Sequence, residues 1–120
     1  MIEIIGNQPD NVLAFTGHGR VTGKDYESIL IPAVESKLKE HSKICLLYHL
    51  GEDFSGFNLR ALWDDIKVGL QHPRAWKKIA VVSDNKWVIG MTKIFGVIIP
   101  CPVKRFDVHQ LTEASEWLKS

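Results

Sequence analysis

The eight residues KICLLYHL, positions 43–50, constrain this chain more than any other segment. They have the length of a strand, but their apolar side chains run almost unbroken, whereas a strand with one wet face alternates. Such a run belongs to a strand covered on both faces, which calls for helices above and below a partly parallel sheet. It is therefore expected to be the central strand. Upstream, residues 1–5 and 12–19 read as two strands separated by the turn cluster GNQPDN, close enough to pair antiparallel.

Thr22 followed three residues later by Asp25 is a helix-start signal, and Tyr26, Ile29, Leu30, Ala33, Val34 and Leu38 then recur at helical spacing to about His41. Pro32 inside this helix predicts a bend. After a loop expected at GEDFSGF, Leu59, Leu62, Trp63, Ile66 and Leu70 trace one face of a second helix that Pro73 stops. WKKIAVVS, residues 76–83, ends in a β-branched core strand. Ser83 or Asp84 is expected to cap a third helix starting near Lys86. VKRFDV, 103–108, predicts the last strand, before a final helix with Leu111, Ala114, Trp117 and Leu118 inward. The expected order is β-β-α-β-α-β-α-β-α, an α/β domain with a mixed, mostly parallel sheet.

A chain of 120 residues fits one such domain, 1–120, with an ordinary core. Cys45 and Cys101 cannot build a disulfide framework, and Cys45 lies inside the apolar run. With no basic leader ahead of a long apolar region, the expected setting is the cytoplasm. The net charge of +1 argues against a dedicated nucleic-acid binder but is unevenly spread. Residues 67–105 hold eight basic side chains against Asp84 alone, a net of +7, and the remainder stands at −6.

From Trp87 to Val103 the chain reads WVIGMTKIFGVIIPCPV, with Lys93 its single charge. This stretch is shorter and more broken than the roughly 20 apolar residues a membrane span needs. Trp87, Val88, Met91, Ile94, Phe95 and Ile98 fit one helical stripe for the core, while Ile89, Val97 and Ile99 fall off it. Leaving such side chains in water forgoes roughly 1.5 to 3 kcal/mol each. The surplus calls for a bound apolar ligand, a membrane interface, a second copy of the chain, or a deeper core. Gly90 costs about 1 kcal/mol of helix propensity relative to Ala, and Gly96, Pro100 and Pro102 interrupt the residues beyond it, which suits a movable flap. Trp63, Trp87, Met91, Ile94, Phe95, Ile98 and Ile99 are the candidate ligand contacts. Lys86, Lys93, Lys104 and Arg105 are candidates to face an anionic membrane surface, each contributing about 1 kcal/mol there.

Catalytic patterns are weaker. His49, Glu52 and Asp53 end the central strand, where ligands of open α/β sheets sit, but their spacing matches no metal motif. Asp53 or Ser55 reads more simply as a helix cap. His18, His41, His72 and His109 are scattered. GHG and GEDFSG lack the downstream residues of a phosphate loop, so neither nucleotide nor other cofactor is expected.

The segments FNLRALWDDIKVGLQHPRAWKKIAVVSDNKWV and VKRFDVHQLTEASEWL, with the element order, resemble the SpoIIAA-like family of STAS domains, also described as STAS/SEC14-like. The most specific pieces are Trp63-Asp64-Asp65, Ile79-Ala80-Val81-Val82 with Asp84 and Trp87, and Glu113-Ala114 with Trp117-Leu118. The resemblance implies a mixed sheet flanked by helices and no catalytic chemistry. It also implies two functional themes, antagonism of anti-sigma factors through protein contact and carriage of lipid-like ligands. The antagonists carry Asp-Ser-Ser-Gly after the central strand and are switched by phosphorylating its first serine. Here Asp53-Phe54-Ser55-Gly56 puts Phe54 at that position, so the charge switch is missing. The expectation is a non-enzymatic cytoplasmic module for an apolar or lipid-like ligand that associates with the inner membrane face and forms a homodimer. The alternative is a regulatory protein–protein interaction domain.

Overall fold

The computed structural model describes residues 1–58, 60, 67 and 74–120. Among these, five strands form one sheet in the order of the chain: β1 (Ile2–Ile4), β2 (Val12–Val21), β3 (Ile44–Phe57), β4 (Trp76–Val82) and β5 (Val103–Phe106). β1 and β2 pair antiparallel, and every later pairing is parallel, so the apolar run occupies the middle of a mixed, mostly parallel sheet as expected. The second helix expected over residues 59–70, with Trp63, lies outside the described residues.

The apolar run is buried on both sides because its alternate residues enter two separate cores. Leu46, Tyr48 and Leu50 join Leu13, Phe15 and Ile79 on one face. Cys45 and Leu47 join Val12, Ala14, Ala80 and Val82 on the other. The first face is covered by α1 (Gly23–Asp25), a π-helical turn (Tyr26–Leu30), α2 (Ile31–Glu40) and α3 (Lys86–Ile98). The second is covered by α4 (Leu111–Lys119), which a 3-10 turn at Val108–Gln110 introduces.

Local chemistry sets most boundaries. Thr22 and Asp25 form the expected capping box, the Thr22 side chain accepting from the Asp25 N–H and the Asp25 carboxylate from the Thr22 N–H. Where Pro32 was expected to bend the helix, the structure has a π turn just before it, in which the Ile31 N–H reaches back to the Tyr26 carbonyl. Proline supplies no N–H to the preceding turn and crowds it, and widening that turn relieves both problems.

Three expectations need correction. GEDFSGF is not a loop: β3 continues through it to Phe57, because β2 also runs on and pairs Gly19 with Phe54, Arg20 with Gly56 and Val21 with Phe57. The pairing resumes after a register shift at Gly19, whose φ of 56° favours glycine. α3 runs on through Gly96, which was expected to interrupt it; the propensity cost of a helical glycine, about 1 kcal/mol, is too small to end the helix there. Its cap is neither Ser83 nor Asp84 but Asn85, whose side-chain oxygen accepts from the Trp87 and Val88 N–H groups at 2.9 and 3.2 Å. Ser83 is fully buried and accepts from the Asn85 N–H instead.

Candidate functional site

α3 is anchored to the sheet by Val88, Thr92 and Ile99, all under 9% exposed, with Phe95 half-buried beside them. This is a different stripe from the one the sequence suggested, turned partway around the helix. A helix apolar on every side gives periodicity nothing to choose between, and Thr92 takes an inward position because its hydroxyl donates to the Val88 carbonyl at 2.7 Å.

The outward side of α3 is greasy. Ile94 is 52% exposed, Val97 87%, and Ile98 and Trp87 44% each. Lys86 and Lys93 are exposed on the same helix, which carries no acidic residue.

Beneath α3 lies an apolar cavity of about 60 Å³, bordered by Leu30, Leu46, Tyr48, Trp76, Phe95 and Ile99. A second, of about 50 Å³, shares Tyr48, Val81, Thr92 and Phe95 with it and extends to Trp87 and Met91. Trp87 also borders an open cleft of about 350 Å³ formed with Phe54, Ser55, Gly56, Phe57 and Asn85. The Phe57 and Trp87 rings stand 5.5 Å apart, and Phe57 makes further edge contacts with Tyr26 and Tyr48. Trp87 and Phe57 thus stand between the open cleft and the second cavity.

The structure divides the candidate contacts. Trp87, Met91, Phe95 and Ile99 border the cavities, whereas Ile94 and Ile98 lie on the exposed side of α3. Trp63 is outside the described residues. The sequence did not single out Leu30, Leu46, Tyr48, Trp76 or Thr92. Each sits in a segment read as core, and only the packing shows which core residues border a gap.

The basic residues also separate. Lys104 lies over the rings of Phe106 and Trp117, at 5.0 and 6.0 Å, against the core beneath α4. Arg105 donates to the Ser83 carbonyl and pairs with Asp107 at 2.8 Å, near Asp84. Lys86 and Lys93 alone of the four accompany the apolar face of α3.

His49, Glu52 and Asp53 lie within β3 rather than at its end, and His18 on β2 is not isolated as the sequence suggested: it bonds Asp53 through Nδ1 and reaches Glu3 on β1 through Nε2 at 2.9 Å. Hydrogen bonding to Asp53 raises the imidazole's pKa, and the same bond lowers that of the carboxyl. Asp53 is therefore tied across strands inside β3, and the second helix that it or Ser55 was expected to cap lies outside the described residues. His49 bonds the Thr16 hydroxyl at 3.0 Å. Among the described residues, no group of three His, Cys, Asp or Glu side chains could hold a metal ion, and no helix is long and apolar enough to cross a membrane. Both cysteines are free thiols with pKa values raised by burial, Cys101 to about 11. That places the reactive thiolate form of Cys101 out of reach near neutral pH.

The sequence matches the family model described as SpoIIAA-like over residues 12–119. A crystal structure of an uncharacterised DUF3478-family protein with a SpoIIAA-like fold, from Shewanella loihica PV-4, superimposes with a TM-score of 0.75. The two chains are 31% identical, over 98% of this chain and 92% of the other. Comparison with curated proteins found no match.

Proposed function

The chain belongs to the SpoIIAA-like family, and from that premise we propose that it is a non-catalytic module binding a small apolar or lipid-like molecule between α3 and the sheet, at a membrane surface. The observation that carries this reading is the continuity of apolar surface from inside to outside. Met91 and Phe95 border the inner cavities, and Trp87, Ile94 and Ile98 continue at helical spacing onto the exposed side. Exposed apolar side chains beside Lys86 and Lys93 suit a helix that rests on an anionic lipid surface.

Size sets the mechanism. Sites for drug-sized ligands occupy about 300–1,000 Å³, so cavities as small as these hold only a small guest or one end of a larger one. A longer guest requires α3 to lift, with Trp87 and Phe57 parting at the cleft. The guest's apolar surface then replaces contacts α3 gives up. Native mass spectrometry of the purified protein, with sedimentation on liposomes with and without anionic lipid, tests this reading. Retained apolar mass and lipid-dependent pelleting support it; neither ligand nor lipid dependence sinks it.

A regulatory protein-contact module is the second reading, favoured by Val97, which at 87% exposed stands clear of the cavities. A homodimer or a protein partner would then cover α3. Phe54 is 6% exposed in the core, so a phosphorylation switch of the family's usual kind has no acceptor there. A stable dimer in concentration-dependent light scattering, insensitive to lipid, favours this second reading.

A further inference from the structure

Trp76 opens β4 and is 3% exposed. Among the described residues, its Nε1–H is the only buried side-chain polar atom with no hydrogen-bond partner. An unpaired donor in an apolar interior is costly, and native proteins leave few of them. This one belongs to a side chain that borders the larger apolar cavity.

Among the described residues, the other polar groups on that cavity are already engaged. The Thr92 hydroxyl donates to Val88, and the Tyr48 hydroxyl bonds that of Tyr26 at 3.2 Å. A water molecule in a cavity needs 2–4 polar partners, and a lining dominated by Leu, Ile, Val and Phe supplies few. No charged side chain is among the described residues that border either cavity. An ionised carboxylate placed there would be buried with no counter-charge from those residues, at a cost far above that of a neutral oxygen. A plain hydrocarbon would leave the indole unpaired.

We propose that the Trp76 indole N–H is a recognition donor, and that the guest is an uncharged apolar molecule carrying an acceptor oxygen, such as a ketone or ester. This rests on the cavity under α3 being the ligand site and narrows what that site accepts. Because the nitrogen itself is closed off in the empty protein, the indole turns toward the cavity for the acceptor to meet it, while the hydrocarbon part lies against Phe95 and Ile99.

The test uses the intact protein labelled with ¹⁵N and three probes of similar shape: methylcyclopentane, cyclopentanone and cyclopentanecarboxylate at neutral pH. Each is titrated while the four tryptophan indole signals are followed, with Trp76 assigned from the W76F spectrum. The expected result is a downfield shift of the Trp76 indole proton with the ketone only, and the weakest binding by the carboxylate. In W76F the ratio of ketone to hydrocarbon affinity should fall about fivefold, the worth of one neutral hydrogen bond, with hydrocarbon binding retained. Should W76F fail to fold, the wild-type indole shift decides, with Trp76 assigned through contacts to its cavity neighbours.

Hydrocarbon binding with a Trp76 signal indifferent to the ketone overturns the role of Trp76 and leaves the ligand site standing. Failure of all three probes to bind overturns both. A water held on the indole that persists at saturating ketone also overturns the proposed role.

Discussion

Helices α3 and α4 lie on opposite faces of one sheet, and they close those faces differently. α4 buries Ala114 and Leu118, at 0% and 3% exposed, and turns Thr112, Glu113, Glu116 and Lys119 to solvent; Leu111 at its start, expected inward, is 36% exposed. Its partly buried Trp117 packs on Phe106, with ring centroids 5.9 Å apart, and Lys78 donates to the Trp117 carbonyl at 3.0 Å. α3 seats one narrow stripe on the sheet, leaves two cavities under it, and exposes Trp87, Ile94, Val97 and Ile98. A helix with one apolar side is satisfied by the sheet alone, whereas one apolar all round keeps an unmet demand for a second apolar neighbour. The difference separates a structural helix from a candidate working one.

The largest expected effect lies on the sealed face. Leu118→Ala should cost about 3 kcal/mol in urea unfolding, because its side chain is enclosed and its neighbours cannot fully close the gap. Binding of apolar probes should survive in the folded fraction. An unchanged unfolding midpoint would mean α4 is no better packed than α3.

Phe95→Ala should cost less, about 2 kcal/mol, since Phe95 is only half-buried and borders space that already exists. Affinity for an apolar probe should fall roughly tenfold by calorimetry. If the variant unfolds outright, Phe95 is core and the contrast between the helices weakens.

Val97→Asp and Ile98→Asp should each change stability by no more than about 0.5 kcal/mol, as exposed substitutions usually do. Pelleting with anionic liposomes should drop roughly tenfold, because apolar contact is lost and a negative charge meets the lipid. Equal pelleting would remove the membrane from the account.

The smallest effect concerns neither helix. Asp53 raises the pKa of His18 above 6.5, and His18 lowers that of Asp53 below 3.8. The raised histidine contributes stability that is complete below 6.5 and lost as pH rises through its folded value. The lowered aspartate contributes above 3.8 and loses this as pH falls through its own folded value. The tie is therefore complete between 3.8 and 6.5. His18→Gln should narrow the stability difference between about pH 5.5 and pH 8, with the gap to wild type largest at the lower pH. Both groups are exposed, so the shift in unfolding midpoint should be slight.

The legible parts of this fold were those where local chemistry and global packing agree. KICLLYHL announced a central strand because burial on two faces leaves no polar alternation, and Thr22 with Asp25 announced a helix start because the two side chains satisfy each other's backbone. GEDFSGF misled because its turn residues are overridden by pairing with β2, which the segment itself does not encode. The site was half legible. Composition flagged the surplus of apolar residues from Trp87 to Val103, but a helix apolar all round hides which side faces the sheet. Trp76 was invisible for a different reason: an unpaired N–H is a property of its surroundings, and no spacing in the chain reports it.

Hydrogen–deuterium exchange of the two helices, with and without saturating 2-octanone, tests the ligand site most directly. Slower exchange across Lys86–Ile98 on adding the ketone, with Leu111–Lys119 unchanged, is the expected result. Exchange in α3 that ignores the ketone, or that is already as slow as in α4, would contradict a guest-binding space beneath it.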